Sequence, residues 1–309
     1  METILIAGLD TVAGANIAAS LSERYRVVGT AFDTPVSISG CETLQTAGGH
    51  RDQIRELLAT WRPERVVYCG APADSSWSDS APVIGREELH QARAWAAASA
   101  ESRLHLTFVS SDAVFTGPWL FHGEDSQSYS SDSFGRAIRQ LERDVVEIHP
   151  NTINVRTNAL GWSPTGNGWL EHLVDQIEAG QLPGVDPIPH ATVIPATELG
   201  RVLDQAWRAR LTGTWHIAGT ERVSPAGFTV ALSRGLRIDL LQLSSSAAGC
   251  QLEGDTVPRE TSLRTGKIRR AVSCELPNVV QSVQCLVDQF RTGFRDRLQC
   301  AEDVSDRVA

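Results

Sequence analysis

The stretch GLDTVAG, residues 8–14, follows the apolar run METILIA and opens a segment, Val12 to Leu21, of small and apolar residues at helical spacing. Strand, turn and helix in this order is the setting in which a Gly-x-x-Gly-x-x-Gly turn seats the pyrophosphate of a dinucleotide. Gly8 and Gly14 are in place. Thr11 stands where a middle glycine would let the backbone approach the phosphates, and its β-branched side chain intrudes on that space. The turn fits two readings, a dinucleotide seat for NAD or NADP and a Rossmann-like turn that holds neither. Asp33, at the end of the next β-rich run YRVVGTAF, stands where an acid bonds a ribose 2′-hydroxyl and favours NAD. Before Thr-Pro it is equally a turn residue.

A second group of residues lies 100 positions on. The run LHLTFVSS (104–111) ends in Ser111 and Asp112 and continues as AVFTG, and the amphipathic stretch SDSFGRAIRQLE (131–142) follows. Ser111 could hydrogen-bond a carbonyl, or act as a plain polar residue at a strand end. His122, Glu124 and Asp125 in the intervening loop, with Asp112, could form an acid/base set, or be surface charge. The tyrosines are Tyr25, Tyr68 and Tyr129; among 28 basic residues the single lysine is Lys267. Any chemistry that needs a lysine elsewhere is excluded.

VSSDAVFTG resembles the Ser-Thr-Asp, Val-Phe-x-Gly segment of the dTDP-4-dehydrorhamnose reductases, a branch of the extended short-chain dehydrogenases. The same resemblance takes in GLDTVAG, WRPERVVYCGAPA, NVRTNALGW, HATVIPATELGRVL, TGTWHIAGTERVSPAGF and TSLRTGKIRRAV, in order, across nearly the whole chain. It implies a Rossmann-type fold, a nicotinamide cofactor, a nucleotide-sugar substrate, and a Tyr-Gly-Arg-x-Lys segment whose tyrosine exchanges the proton at the carbonyl. Here that segment reads Phe134-Gly135-Arg136-Ala137-Ile138. Phe has no hydroxyl and Ile no charge, so acid/base work at either position is impossible. Arg139, one position from the lost lysine and about 100° round a helix, could hold a ribose or phosphate. The resemblance leaves Ser111 as the remnant of the catalytic set.

The elements that must carry these residues alternate. Strand-like runs at 1–7, 25–32, 41–46, 65–71, 104–111 and 152–160 are separated by helical patterns at 12–21, 50–61 and 86–100, which predicts a doubly wound parallel sheet. Ile54, Leu57, Leu58 and Trp61 share a helix face. Beyond residue 161 the rhythm changes to a smaller substrate-side lobe, 162–298, packed back on the sheet, with 299–309 as a frayed tail. Trp162 and Trp169 of that lobe could stack a base or be core, Arg156 on the run before it and Arg222 within it could meet a diphosphate or carboxylate, and Lys267 reads as a basic surface patch or an anion contact.

The net charge of −9 and the lack of a basic stripe exclude nucleic acid as a main partner. No apolar run approaches the about 20 residues of a membrane helix, and the N-terminus lacks a signal-peptide pattern, so a cytoplasmic protein is expected. Six scattered cysteines without a C-x-x-C pair point to buried thiols and to no metal. The expected function is a degenerate, binding or regulatory member of the resembled family, acting on a nucleotide, a nucleotide sugar or through a protein partner. The alternative is an enzyme with a non-standard proton donor or one rebuilt around Ser111. The oligomeric state is left open.

Overall fold

A computed structural model describes residues 1–45, 49–78, 84–183, 185, 187–239, 244–245 and 260–298. The sequence-predicted tail at 299–309, Cys250 and Cys300 lie outside them. The chain runs β1 (Thr3–Ala7), α1 (Val12–Leu21), β2 (Arg26–Ala31), β3 (Cys41–Gln45), α2 (Arg51–Trp61), β4 (Arg65–Tyr68), α3 (Arg86–Glu101), β5 (His105–Ser111), α4 (Ser133–Ile148) and β6 (Ile153–Thr157). It continues with β7 (Ala159–Leu160), α5 (Trp169–Glu178), β8 (Gln181–Leu182), β9 (Ile194–Pro195), α6 (Ala196–Arg208), β10 (Gly213–His216), α7 (Pro225–Leu236), β11 (Ser244–Ser245), α8 (Gly266–Val272), α9 (Val279–Arg291) and α10 (Phe294–Leu298).

Seven parallel strands lie in the order β10-β6-β5-β4-β1-β2-β3, so the sheet is the expected doubly wound Rossmann type. The inner strands are apolar along their length because both faces are covered. One face packs Ile4, Ile6 and Val67 against α1 and α6; the other packs Leu5, Val66 and Phe108 against α2, α3 and α4. The lobe after residue 161 is not set apart from the sheet, since β10 extends its edge beside β6 and α6 covers α1. The run expected to continue to residue 160 breaks at Asn158, whose side chain turns aside to bond Ser75, Ser76 and Asp112; β7 then pairs with β9.

β1 lies between β2 and β4, where the winding direction reverses and the strand ends open a crevice. Gly8 sits there at φ +100°, and a Cβ on it would come 2.0 Å from the Cys69 carbonyl oxygen. A Cβ on Gly14 would come 2.0 Å from the Gly8 carbonyl oxygen. Both glycines are therefore required by the turn itself, whatever the crevice holds. Gly8→Ala is expected to cost about 3 kcal/mol or more, read as a lowered urea midpoint at unchanged m-value.

Candidate functional site

The crevice is a cleft of about 860 Å³ between the Gly8–Gly14 turn, the end of β2, the start of α3 and the loop before α5. Thr11 caps α1, its Oγ1 accepting from the Gly14 amide at 3.0 Å and donating to the Gly8 carbonyl at 2.8 Å. It is more than an intrusion on the phosphate space: its hydroxyl takes up one of the first amides of α1. Asp10 was not singled out by sequence. Its carboxylate accepts from the backbone N–H groups of Phe32 (3.0 Å), Asp33 (2.7 Å) and Thr34 (3.0 Å), closing the end of β2. Asp33 itself is exposed on the cleft rim.

Five carboxylates, those of Asp10, Asp33, Asp74, Glu87 and Glu88, line the cleft; no lysine or arginine does so among the described residues. Glu88 accepts the Tyr68 hydroxyl at 2.6 Å. Burial, reinforced by Glu88 and Asp10, pushes the Asp74 carboxyl up to about 7. In the unfolded chain such a group titrates near 4, so the folded protein binds the extra proton between these values. Stability on this account falls as pH rises from about 4 to about 7, and the cost is fully present above that. Asp74→Asn is expected to raise the Tm by several degrees at pH 8, with the gap to wild type closing towards pH 4; thermal unfolding across this range measures it.

Ser111 is buried, and its Oγ accepts from the Ala113 amide at 3.1 Å to cap a short 3-10 turn at 112–114. Asp112 is fully buried, accepting from Thr261 Oγ1 at 2.7 Å and Asn158 Nδ2 at 3.2 Å. Burial raises its carboxyl to about 6, opposed by hydrogen bonds from Thr261, Ser76, Asn158 and Ser111. His122 does not join this pair: its ring stacks on Phe115 and its nitrogens meet Ser126 and the Glu260 carbonyl. Glu124 accepts from the His216 amide, and the Asp125 side chain lies against Gly123 in its own loop. The acid/base set conceived for this loop is not assembled.

Phe134 and Ile138 lie on the first turns of α4, which Asp132 caps through the Gly135 amide at 2.6 Å. Ile138 is wholly buried with Val114, Phe115, Ala218 and Leu263, and Phe134 packs on the same cluster. Arg139 lies 3.7 Å over the Tyr129 ring, a cation–π contact rather than an open arm. Four other candidates are engaged elsewhere. Arg156 is buried in a bidentate pair with Glu142 (2.7 and 2.9 Å), and Arg222 pairs with Glu260. Trp162 is core, stacked on Phe290, and contributes to the neighbourhood only its carbonyl, which accepts from Asn16. Lys267 donates to the Thr214 carbonyl at 2.6 Å and lies over Trp215. Trp169 does line the cleft, backed by Trp77 and Phe228.

The chain matches the family model described as the RmlD substrate binding domain over residues 1–292. It belongs to that family. Among relatives of this RmlD-family chain, a probable low-salt glycan biosynthesis reductase of Haloferax volcanii is 22% identical over 301 residues, covering 92% of this chain and 97% of that one. A dTDP-4-dehydrorhamnose reductase of Clostridium acetobutylicum shares the fold with a TM-score of 0.72 at 17% identity, over 94% of this chain and 99% of that one. The Bacillus anthracis dTDP-4-dehydrorhamnose reductase in complex with NADP gives 0.73 at 16% identity, over 93% and 99%. The Bordetella bronchiseptica enzyme WbmG in complex with NAD and UDP gives 0.73 at 14%, over 94% and 95%.

A dinucleotide brings its pyrophosphate to the glycine turn and its adenosine ribose, carrying a 2′-phosphate in NADP, to the end of β2. In this RmlD-family chain those places hold the Thr11 hydroxyl on the Gly14 amide and the Asp10 carboxylate on three further amides, within an acidic lining. The residues present at the end of β2 do not fit a 2′-phosphate, whereas an acid there suits the ribose hydroxyls of NAD. No group of His, Cys, Asp and Glu that could hold a metal ion occurs among the described residues, and no helix among them is long and apolar enough to cross a membrane. Cys41, Cys69, Cys274 and Cys285 are free thiols, with Cys69 and Cys274 buried.

Proposed function

We propose that this chain is a catalytically degenerate member of the RmlD family, a binding or regulatory protein that keeps a ligand cleft and does not transfer hydride. The observation that carries the reading is that Phe134 and Ile138, packed in an apolar cluster at the start of α4, can neither donate a proton nor hold a charge. The one lysine in the chain is committed to Thr214 and Trp215. The cleft favours a small hydroxyl-rich ligand of the nucleoside or sugar class. Carboxylates accept hydroxyl hydrogens in charge-assisted bonds, Ser75, Ser163, Thr165 and Asn167 add polar groups, and Trp169 gives one flat wall.

The test is turnover and binding together. NADH and NADPH are expected to show no protein-dependent oxidation with a panel of dTDP- and UDP-linked 4-keto sugars, while free nucleosides or sugars, titrated separately, raise the Tm in a saturable way. Oxidation above background on any keto sugar would overturn the reading. One observation favours an enzyme instead: Asp112 beside Ser111, its carboxyl raised by burial to about 6 and so kept in part protonated near that pH. That reading requires turnover that Asp112→Asn abolishes and that shows a pH dependence near 6.

A further inference from the structure

The three amides at the end of β2 form a concave donor site of the kind that binds anions. Phe32, Asp33 and Thr34 all turn their N–H groups towards one point, and the atoms found there are Oδ1 and Oδ2 of Asp10 at 2.7–3.0 Å. A carboxylate in such a place is a stand-in for an external anion: it has the charge, the lone pairs and the distances. Asp10 reaches it from the glycine turn, so the two backbone segments that flank an adenosine ribose in a Rossmann crevice are clasped together by a side chain of the protein.

We propose that Asp10 is a built-in anion that occupies the phosphate seat at the end of β2 and closes the cleft to 2′-phosphorylated adenosine nucleotides. An incoming phosphate would have to displace three charge-assisted hydrogen bonds and then lie beside the displaced carboxylate. Asp33 and Glu87 at the same cleft, with no lysine or arginine on its described lining, add to the repulsion. Thr11 alone does not produce this selectivity, because its hydroxyl is neutral and touches a different amide. The proposal rests on reading the cleft as a ligand seat, yet it concerns which ligands are refused, not whether hydride moves.

The probe is adenosine 2′,5′-bisphosphate, with adenosine as the phosphate-free control, titrated calorimetrically into the full chain and into Asp10→Ala. Wild type is expected to give no saturable heat at millimolar bisphosphate, and Asp10→Ala to bind it at least about ten-fold more tightly, since both the occupant and its charge are gone. Adenosine should distinguish the two proteins little. Asp10→Asn, which keeps one accepting oxygen and at most two of the three bonds, provides a second variant if the alanine form does not fold; it should show a smaller gain. Equal bisphosphate affinity of wild type and either folded variant would overturn the proposal. Bisphosphate gain together with keto-sugar reduction by wild type would leave this proposal standing and remove the binding-protein reading; the reverse pair of results would do the opposite.

Discussion

Glu142→Ala is expected to destabilise the protein by about 3–5 kcal/mol, because it leaves the Arg156 guanidinium buried without its counter-charge. Arg156 lies on β6 with its side chain 8% exposed, and Glu142 on α4 with 7%. The carboxylate accepts two bonds at 2.9 and 2.7 Å from the guanidinium and a third from Ser110 Oγ at 2.6 Å. The guanidinium also covers the Phe115 ring at 4.9 Å. Removing one partner strands a charge, whereas replacing both, as in Glu142→Leu with Arg156→Met, should restore most of the loss. Urea unfolding of the single and double variants measures this. A single-variant loss below about 1 kcal/mol would show that water reaches the pair.

The second large effect concerns the segment resembling a catalytic one. Ile138→Lys is expected to cost about 3 kcal/mol or more, since a lysine there must either carry its charge into the cluster of Val114, Phe115, Ala218 and Leu263 or give it up. Phe134→Tyr alone should be tolerated, because Phe134 is only half-buried and a hydroxyl can reach its edge. The double change therefore recreates the pattern of side chains without the surroundings that make it work. No reductase activity is expected from it, and the thermal midpoint should fall by the amount Ile138→Lys alone produces. A double variant with wild-type stability would mean that the start of α4 still has room for a charged side chain.

The fold was legible in the sequence because strands such as TILIA are apolar on both faces and helices such as RDQIRELLATW are not, so the alternation survives without tertiary information. The glycines of the first turn were legible too, and their role proves to be steric. The site residues were harder to read. Arg156, Arg222 and Lys267 look like free cations in a linear sequence, but each has its partner 14 to 53 positions away: Glu142, Glu260 and Thr214. Glu142 carried a signal that could have been used, an acid within the otherwise apolar stripe Ile138, Leu141, Val145 of α4. Asp10 carried none, since a charged residue in a glycine turn reads as solvated until β2 is seen to end opposite it. The break of the sixth strand at Asn158 depends on Asp112, Ser75 and Ser76, which only the folded sheet brings together.

The central claim, that hydride does not move through this cleft, is tested most directly by isotope transfer. The protein at high concentration would be incubated with NADH or NADPH carrying deuterium at the transferable C4 position and with each 4-keto nucleotide sugar of the panel, and the sugar analysed by mass spectrometry. Unlabelled sugar at every time point, under conditions where an active family reductase labels its substrate within a single turnover, is the result predicted. Deuterium at the former carbonyl carbon would contradict it and would make Asp112 the first residue to replace.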